Sequence, residues 1–157
     1  MVGTGDGVVL RPGLLEESDE IAAVFVASRR ASVPAIPPLL HDDDDVRQWL
    51  PTKMRAARAT WVAETQGALV AFMILGEGSI EHLYAAPGWT GRGIGARLVT
   101  LAQADQPALE LWAFQANHGA RRFYERHGFV AVEETDGRNN EERTPDVRYL
   151  WRAEGAA

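Results

Sequence analysis

Hydrophobic and polar residues alternate with helical periodicity in the first part of the chain. One helical face is formed by Ile21, Val24, Phe25 and Ser28. We expect Ser18 or Asp19 to cap the beginning of this helix. A second helical repeat covers residues 46–57, and because Pro51 lies inside it, we predict a kink or a new helical start there. The proline-rich segment 33–40 is predicted to be a loop, since proline cannot donate a ladder hydrogen bond.

Strand patterns dominate the rest of the chain, with a hairpin turn indicated at Gln66-Gly67. The segments with strand character are residues 8–12, 59–64, 68–75, 80–86, 109–114, 129–134 and 147–152. Between the later strands, one helix is expected to bury Ile94, Leu98, Leu101 and Ala102, and another to cover 117–128 and end at Gly128. Successive antiparallel strands followed by strand–helix–strand crossovers predict an α/β or α+β fold, with a mixed sheet and helices on its faces. No linker divides the chain, so residues 1–157 are predicted to form a single domain.

Composition and charge narrow the class of protein. The chain has no cysteine, which excludes thiolate metal sites and cysteine nucleophiles and fits a reducing compartment. It shows no secretory signal, and its longest apolar run (68–75) is too short to span a bilayer, so we expect a cytoplasmic protein without a membrane partner. The net charge of −6 argues against a nucleic-acid surface and mildly favours a cationic ligand.

The segment "PGWTGRGIGARL", residues 87–98, places three closely spaced glycines where a helix begins. The first N–H groups of a helix have no internal partner, and glycine lets an anion approach them closely. The segment therefore suits a phosphate, with Arg92 nearby as a cation; the alternative is a tight turn without a ligand. A Walker loop is excluded because no Gly-Lys-Ser/Thr follows, and the spacing of Gly91, Gly93 and Gly95 fits a dinucleotide fingerprint poorly.

Two motifs together resemble the GNAT superfamily of N-acetyltransferases. "LYAAPGWTGRGIGARLV" (83–99) resembles its pyrophosphate loop, and "NHGARRFYERHGFVAVEE" (117–134) resembles its asparagine–tyrosine helix that ends in Gly-Phe. Thr90 stands where the family usually has Arg or Gln. The resemblance extends over nearly the whole chain and implies a central mixed, mostly antiparallel sheet of about six or seven strands, flanked by about four helices.

The resemblance further implies acetyl-coenzyme A as the co-substrate, and no metal. The implied cofactor-binding residues are Leu83, Tyr84, Ala85, Thr90, Gly91, Arg92, Gly93, Ile94, Gly95, Ala96, Asn117 and Tyr124. The amides of the glycine segment would hold the pyrophosphate. The pantetheine arm would pair with the strand at 83–85, where that strand splays from 109–114. Trp89 would cover the cofactor.

The implied reaction moves an acetyl group to a primary amine by direct attack in a ternary complex. Such a reaction needs a base for the amine and a proton for the departing thiolate. Tyr124 is the candidate proton donor and Glu81 the candidate base, with His82 or an ordered water as alternatives. Strand alternation would place Glu81 and Leu83 on one face and His82 and Tyr84 on the other. Backbone N–H groups near Tyr84 or Ala85 would stabilise the oxyanion.

The acceptor is left open by the sequence: a polyamine, an aminoglycoside, an amino acid and a protein N-terminus all fit. His41, Glu141 and Glu142 are candidates for the acceptor wall, and the acidic loop that carries the two glutamates favours a small cationic amine. The carboxylates at 42–45 are expected to interact with a helix dipole rather than with a metal. Four tryptophans in apolar patterns, Trp49, Trp61, Trp112 and Trp151, are expected in the core.

The sequence leaves open two alternative functions and the oligomeric state. One alternative is a GNAT-like module that binds an acyl-coenzyme A without catalysis, and another is an acyltransferase that uses a longer acyl donor. The resemblance is also compatible with a homodimer.

Overall fold

The computed structural model describes residues 2–3, 7–34 and 36–155, which form one eight-stranded mixed sheet with helices on both faces. The strands are β1 (Val2–Gly3), β2 (Val9–Pro12), β3 (Ala59–Thr65), β4 (Ala68–Gly76), β5 (Ser79–Ala85), β6 (Ala108–Phe114), β7 (Val130–Thr135) and β8 (Asp146–Arg152). The helices are α1 (Ser18–Ala31), α2 (Asp43–Ala56), α3 (Ile94–Asp105) and α4 (His118–Arg126). The predicted α/β class with a mixed sheet and four helices is confirmed, and the two-residue β1 adds a strand to the seven that the patterns indicate.

The sheet has the strand order β1-β2-β3-β4-β5-β6-β8-β7, and its only parallel neighbours within the described residues are β5 and β6. These two strands pair in register at a single point, Ser79 with Glu110. Beyond that point they separate, whereas the antiparallel ladders on either side continue. The predicted splay is therefore present, and it opens a gap in the middle of the sheet.

The core lies in two layers, one on each face of the sheet. Strand β4 contributes to both because its alternate side chains face opposite ways. Phe72 and Ile74 pack with the buried faces of α1 and α2, while Met73 and Leu75 pack with α3. Burial on both faces explains why β4 is apolar throughout.

The beginning of α1 differs from the prediction that Ser18 or Asp19 caps it. A 3-10 turn over Leu15–Glu17 precedes the helix, and the residue at the cap position is Glu17, without a capping side-chain bond to α1. Its carboxylate accepts from the Leu14 N–H at 2.9 Å and pairs with Arg11 at 2.6 Å. An ion pair to β2 therefore fixes this end of the helix, which short-range capping rules do not anticipate.

Two further predictions differ from the structure. The predicted new helical start at Pro51 is wrong, because α2 continues through Pro51 as one element, while the alternative of a kink there stays a prediction. Trp112 and Trp49 are 48% and 38% exposed rather than part of the core. Both indole rings line a cleft. Their apolar neighbours in the sequence therefore indicate a recessed surface rather than the core.

Candidate functional site

A cleft of about 840 Å³ lies where β5 and β6 separate. Its walls come from α1, α2, β5, β6, α4 and the loop between β7 and β8. Among its lining residues are Glu81, His82, Leu83, Tyr84, Asn117 and Tyr124. Most side chains that the sequence suggested for the pantetheine arm, catalysis and the acceptor are therefore brought to one cavity.

The glycine segment forms the connection from β5 to α3. Gly91 and Gly93 have φ angles of +73° and +83°, a region that favours glycine, and no heavy atom lies within 4 Å of where a Cβ would stand on either. The first helical hydrogen bond runs from the Arg97 N–H to the Gly93 carbonyl at 3.1 Å. The N–H groups of residues 94–96 thus precede the first N–H that donates within α3, that of Arg97, and are available to an anion.

The third glycine, Gly95, allows close packing between two helices. A Cβ on Gly95 would meet the ring of Phe123 at 3.2 Å, so this position allows α3 to pack closely against α4. Nearby, the Arg92 guanidinium lies over the Trp89 ring, 4.5 Å from its centroid. This cation–π contact holds a positive charge beside the open loop, where Thr90 is exposed. Trp89 thus helps to hold the Arg92 side chain in place beside the loop.

Tyr124 projects from α4 into the cleft. Its ring packs edge-on against Phe123 and Phe129, and no hydrogen bond to its hydroxyl is found among the described residues. Burial raises the pKa of the Tyr124 phenol well above its ordinary value, and the neighbouring Tyr84 adds to this rise. The phenol is therefore a neutral proton donor at every physiological pH.

Asn117 stands at the beginning of α4 and its side chain lines the cleft. Its Oδ1 accepts a hydrogen bond from the Ala120 N–H at 3.2 Å, so it caps the helix. Helix α4 itself begins at His118, one residue later than the predicted segment. The cap gives Asn117 a structural role beside any contact with a cofactor.

A bulge in β5 corrects the predicted placement of Glu81. Ile80 pairs with Leu75 and His82 pairs with Ile74, which leaves Glu81 as the extra residue between them. Its carboxylate lies 3.8 Å from the Lys53 Nζ on α2, whereas Leu83 packs with the α3 side of the core. Glu81 and Leu83 therefore do not share a face; Glu81 and His82 both lie towards the helix pair α1–α2.

His82 is enclosed by aromatic rings. Its imidazole centroid is 5.2 Å from that of Trp49 and 5.9 Å from that of Phe25. Its Nδ1 is buried and has no hydrogen-bond partner among the described residues. Burial, with the charges of Lys53 and Arg29, lowers the pKa of His82 to about 4, so the ring is neutral at pH 7.

The predicted acceptor wall is assembled by the loop between β7 and β8. Glu141 pairs with His41, which also lies 3.9 Å from the Asp45 carboxylate. Glu142 is more buried and faces Arg29 on α1 at 3.9 Å. His41, Glu141 and Glu142 thus lie together on one side of the cleft.

The carboxylates at 42–45 surround the start of α2, as predicted. The Asp42 side chain accepts from the Asp45 N–H at 2.8 Å, and Asp43 pairs with Arg30. Across the described part of the chain, no group of three or more histidine, aspartate or glutamate residues is arranged to hold a metal ion. These acids cap the helix and pair with neighbouring arginines.

Comparison with known proteins places this site in a family. The family model described as an acetyltransferase (GNAT) domain matches residues 56–131, which include β5, the glycine segment and α4. Residues 56–131, just under half of the chain, therefore match a GNAT acetyltransferase domain. A peptidyl-lysine N-acetyltransferase of Escherichia coli, YiaC, is 36% identical over 74 residues, which are 46% of this chain. The matched segment spans 51% of that relative, or about half its length.

Solved structures carry the same fold at low sequence identity. The apo form of YjaB from Escherichia coli superimposes with a TM-score of 0.73 at 22% identity, covering 93% of this chain and 98% of that one. The PaiA N-acetyltransferase of Thermoplasma acidophilum, solved with coenzyme A, gives a TM-score of 0.68 at 15% identity, covering 92% and 98%. At these identities the likeness establishes the GNAT fold alone. No helix in the described residues is long and apolar enough to cross a bilayer.

Sequence reasoning did not single out one residue of the GNAT cleft. Arg29 is only 5% exposed and lines the cavity. A signal for it exists in the sequence, because Ile21, Phe25 and Arg29 recur every four residues on one face of α1. A charged residue that continues a buried stripe is a candidate for a role in binding.

The buried neutral His82 predicts acid-sensitive stability. Its pKa of about 4 in the fold lies below the value of 6.5 expected when unfolded. The unfolded chain therefore takes up this proton first, so stability falls as the pH drops from 6.5 towards 4, by up to about 3 kcal/mol. Chemical denaturation at successive pH values should show this loss in the wild type and a smaller loss in His82→Leu. The exposed His118→Leu is the control and should keep the wild-type slope; equal slopes in all three proteins would contradict the assignment.

Proposed function

We propose that this GNAT protein transfers an acetyl group from acetyl-coenzyme A to a primary amine by direct attack within a ternary complex. One arrangement carries the proposal: the open glycine turn between β5 and α3, with the partly buried Tyr124 phenol on α4 facing the cleft beside the same strand. The glycine turn would supply an anion site and Tyr124 a proton donor, and a thioester of a phosphorylated carrier requires both.

The proposed binding mode for acetyl-coenzyme A follows from the loop and the splay. The backbone N–H groups of residues 91–96, Gly91, Gly93 and Ile94 among them, would donate hydrogen bonds to the pyrophosphate, with Thr90 and Arg92 beside it. Past their single point of pairing, β5 and β6 leave backbone groups of 83–85 for the pantetheine arm. Asn117 and Tyr124 line the same cleft and would contact the pantetheine arm from α4.

The proposed chemistry forms one bond and breaks one. The amine nitrogen adds to the thioester carbonyl carbon, the C–S bond then breaks, and the amine loses a proton. Backbone N–H groups near Tyr84 or Ala85 would stabilise the oxygen as it becomes negative. Tyr124 would give its proton to the departing sulfur, and the burial that raises the pKa of the phenol also disfavours a bare thiolate there.

Glu81 remains the proposed base, and the bulge in β5 supports this role. The bulge turns its carboxylate towards the helix pair α1–α2, where it lies at the wall of the cleft. His82 is the weaker candidate, because a ring with a pKa of about 4 binds a proton poorly at neutral pH. An ordered water that passes the proton to Glu81 fits the same geometry.

Substitution of the proposed base gives a testable result. We expect Glu81→Gln to lower kcat/KM about 10-fold or more at pH 7, and less at pH 9.5, where more of the amine is already unprotonated. The measurement is thiol release over a pH series. Glu77→Gln, in the exposed turn after β4, removes a carboxylate that pairs with Arg58 and should leave the profile unchanged. A pH-independent loss in Glu81→Gln would reject the role of base.

For the acceptor we propose a small-molecule amine. Six carboxylates line the cleft, Asp45, Glu81, Glu133, Glu141, Glu142 and Asp146, and they favour an ammonium group. The name of the relative YiaC specifies peptidyl-lysine, so a lysine side chain is the second candidate. We propose no nucleic-acid or membrane partner, a cytoplasmic location in keeping with the lack of cysteine, and a homodimer as the state to test first in solution.

Calorimetric titration with acetyl-coenzyme A, followed by thiol detection on an amine panel, tests the whole proposal. Binding with thiol release supports an acetyltransferase. Binding without release from any amine favours the non-catalytic acyl-coenzyme A module. Faster release from longer acyl donors than from acetyl-coenzyme A would identify an acyltransferase of different chain length. No binding at all would reject the proposed function.

A further inference from the structure

Arg29 is a buried guanidinium whose five N–H donors are only partly satisfied, by the Pro37 carbonyl, the Tyr84 hydroxyl and the more distant Glu142. Its Nη2 donates to the Pro37 carbonyl at 3.2 Å, while the nearest carboxylate oxygen, on Glu142, is 3.9 Å away and beyond hydrogen-bond distance. Its Nε is buried and has no hydrogen-bond partner among the described residues. An arginine offers five N–H donors, and a buried charge is costly unless it is paired and hydrogen-bonded.

The position of Arg29 connects it to the reacting end of the cleft. Its guanidinium carbon lies 6.0 Å from the centroid of Phe25, whose ring packs edge-on against Tyr84 at 4.9 Å. The charge of Arg29 and its side-chain interaction with the Tyr84 hydroxyl both oppose the rise that burial causes in the pKa of Tyr84. Tyr84 in turn raises the pKa of Tyr124. Tyr84 thus connects the Arg29 guanidinium electrostatically to Tyr124, the proposed proton donor.

We propose that Arg29 binds a carboxylate of the acceptor, so that the acceptor is a small amino-acid-like molecule carrying both an amine and a carboxylate. The planar guanidinium matches a carboxylate through two parallel hydrogen bonds, and a lysine would not replace it. The cleft then separates the two charges of the acceptor, with the ammonium towards its acidic side chains and the carboxylate at Arg29. This inference rests on the proposed acetyl transfer and specifies its substrate class.

The rings and aliphatic side chains near Arg29 describe the rest of the acceptor. Phe25, Trp49, Ile36 and Leu39 line the same part of the cavity. They favour an apolar side chain on the acceptor. Leucine and phenylalanine are therefore the first members of the panel, each compared with the amine that remains when its carboxylate is removed, 3-methylbutylamine or 2-phenylethylamine.

The kinetic test compares each pair in wild type and in Arg29→Met, a change of similar volume. We expect wild type to prefer the amino acid by at least ~30-fold in kcat/KM, and Arg29→Met to lose that preference because its kcat/KM falls far more with the amino acid than with the simple amine. Arg30→Met is the matched control, since the adjacent Arg30 is exposed and pairs with Asp43. It should behave as wild type.

A binding test separates this inference from the proposed function. The Arg29 Nε–H gives a nitrogen–proton signal that Arg29→Met identifies by its loss. Titration with 4-methylpentanoate, which is leucine without its amine, should shift this signal, whereas 3-methylbutylamine should not. Thiol release from simple amines as fast as from amino acids, with an unmoved Arg29 signal, overturns the inference and leaves acetyl transfer standing. A shifted signal without thiol release from any amine instead rejects acetyl transfer and retains the carboxylate site.

Stability distinguishes recognition from a purely structural role. If Arg29 served only to join the proline-rich loop to Glu142, Arg29→Met would lower the melting temperature and reduce the rate with both members of each pair. An apolar side chain can often replace a poorly paired buried charge without loss of stability. We therefore expect the melting temperature of Arg29→Met to stay the same or rise. A lower melting temperature with an unchanged preference would overturn the proposal.

Discussion

Gly93→Glu is expected to weaken acetyl-coenzyme A binding about 100-fold or more. Gly93 is the residue before α3, its φ angle is +83°, and space is open where a side chain would stand. A carboxylate there would occupy the proposed pyrophosphate position and place two negative charges near one another, which at a protein surface costs about 4 kcal/mol at close range. Isothermal titration of acetyl-coenzyme A measures the effect directly.

Gly78→Glu is the matched control for this substitution. Gly78 also has a positive φ, +70°, with no heavy atom within 4 Å of where a Cβ would stand, but it lies in the turn before β5, at the opposite end of that strand from the glycine loop. Both variants should lose about 1–2 kcal/mol of stability, because non-glycine residues are strained in this conformation. Only Gly93→Glu should lose binding; equal affinities in the two variants would mean that the loop holds no phosphate.

The fold was predictable from the sequence where short-range signals agree. The apolar run of β4, the Gln66-Gly67 turn and the helical stripe of α3 each depend on neighbours within a few residues, and all lie where the patterns place them. The glycine turn was predictable for the same reason, because positive φ angles restrict which residue can stand there. The splay of β5 from β6 followed from the family resemblance, and the pairing confirms it.

The site was less predictable where it depends on contacts between distant parts of the chain. The β5 bulge reassigns the face of Glu81, and a bulge is determined by how β4 and β5 pair rather than by either strand alone. The pairing of His41 with Glu141 joins residues 100 positions apart, and periodicity carries no information on such contacts. Trp112 has apolar neighbours in the sequence yet is 48% exposed, because β5 diverges from β6 and leaves a cleft.

Tyr124→Phe is expected to leave acetyl-coenzyme A binding within about threefold of wild type and to lower kcat about 100-fold or more. The substitution removes only a hydroxyl, and the ring contacts with Phe123 and Phe129 remain. Because the Tyr124 hydroxyl has no hydrogen-bond partner in the described residues, its loss should not reduce the free energy of unfolding. Pre-steady-state thiol release separates the chemical step from product release.

Tyr149→Phe provides the comparison that makes this result interpretable. The Tyr149 hydroxyl accepts from the Arg121 Nε at 2.9 Å and donates to Glu125 at 2.7 Å, outside the cleft. Its removal breaks one hydrogen bond to each of two charged side chains and should cost about 1–3 kcal/mol of stability, with little change in the rate of the folded enzyme. The two tyrosines should thus show opposite effects, one on rate and one on stability. If Tyr124→Phe instead kept the wild-type rate, the proton for the departing sulfur would have to come from another donor, and the buried phenol would have to be assigned to packing.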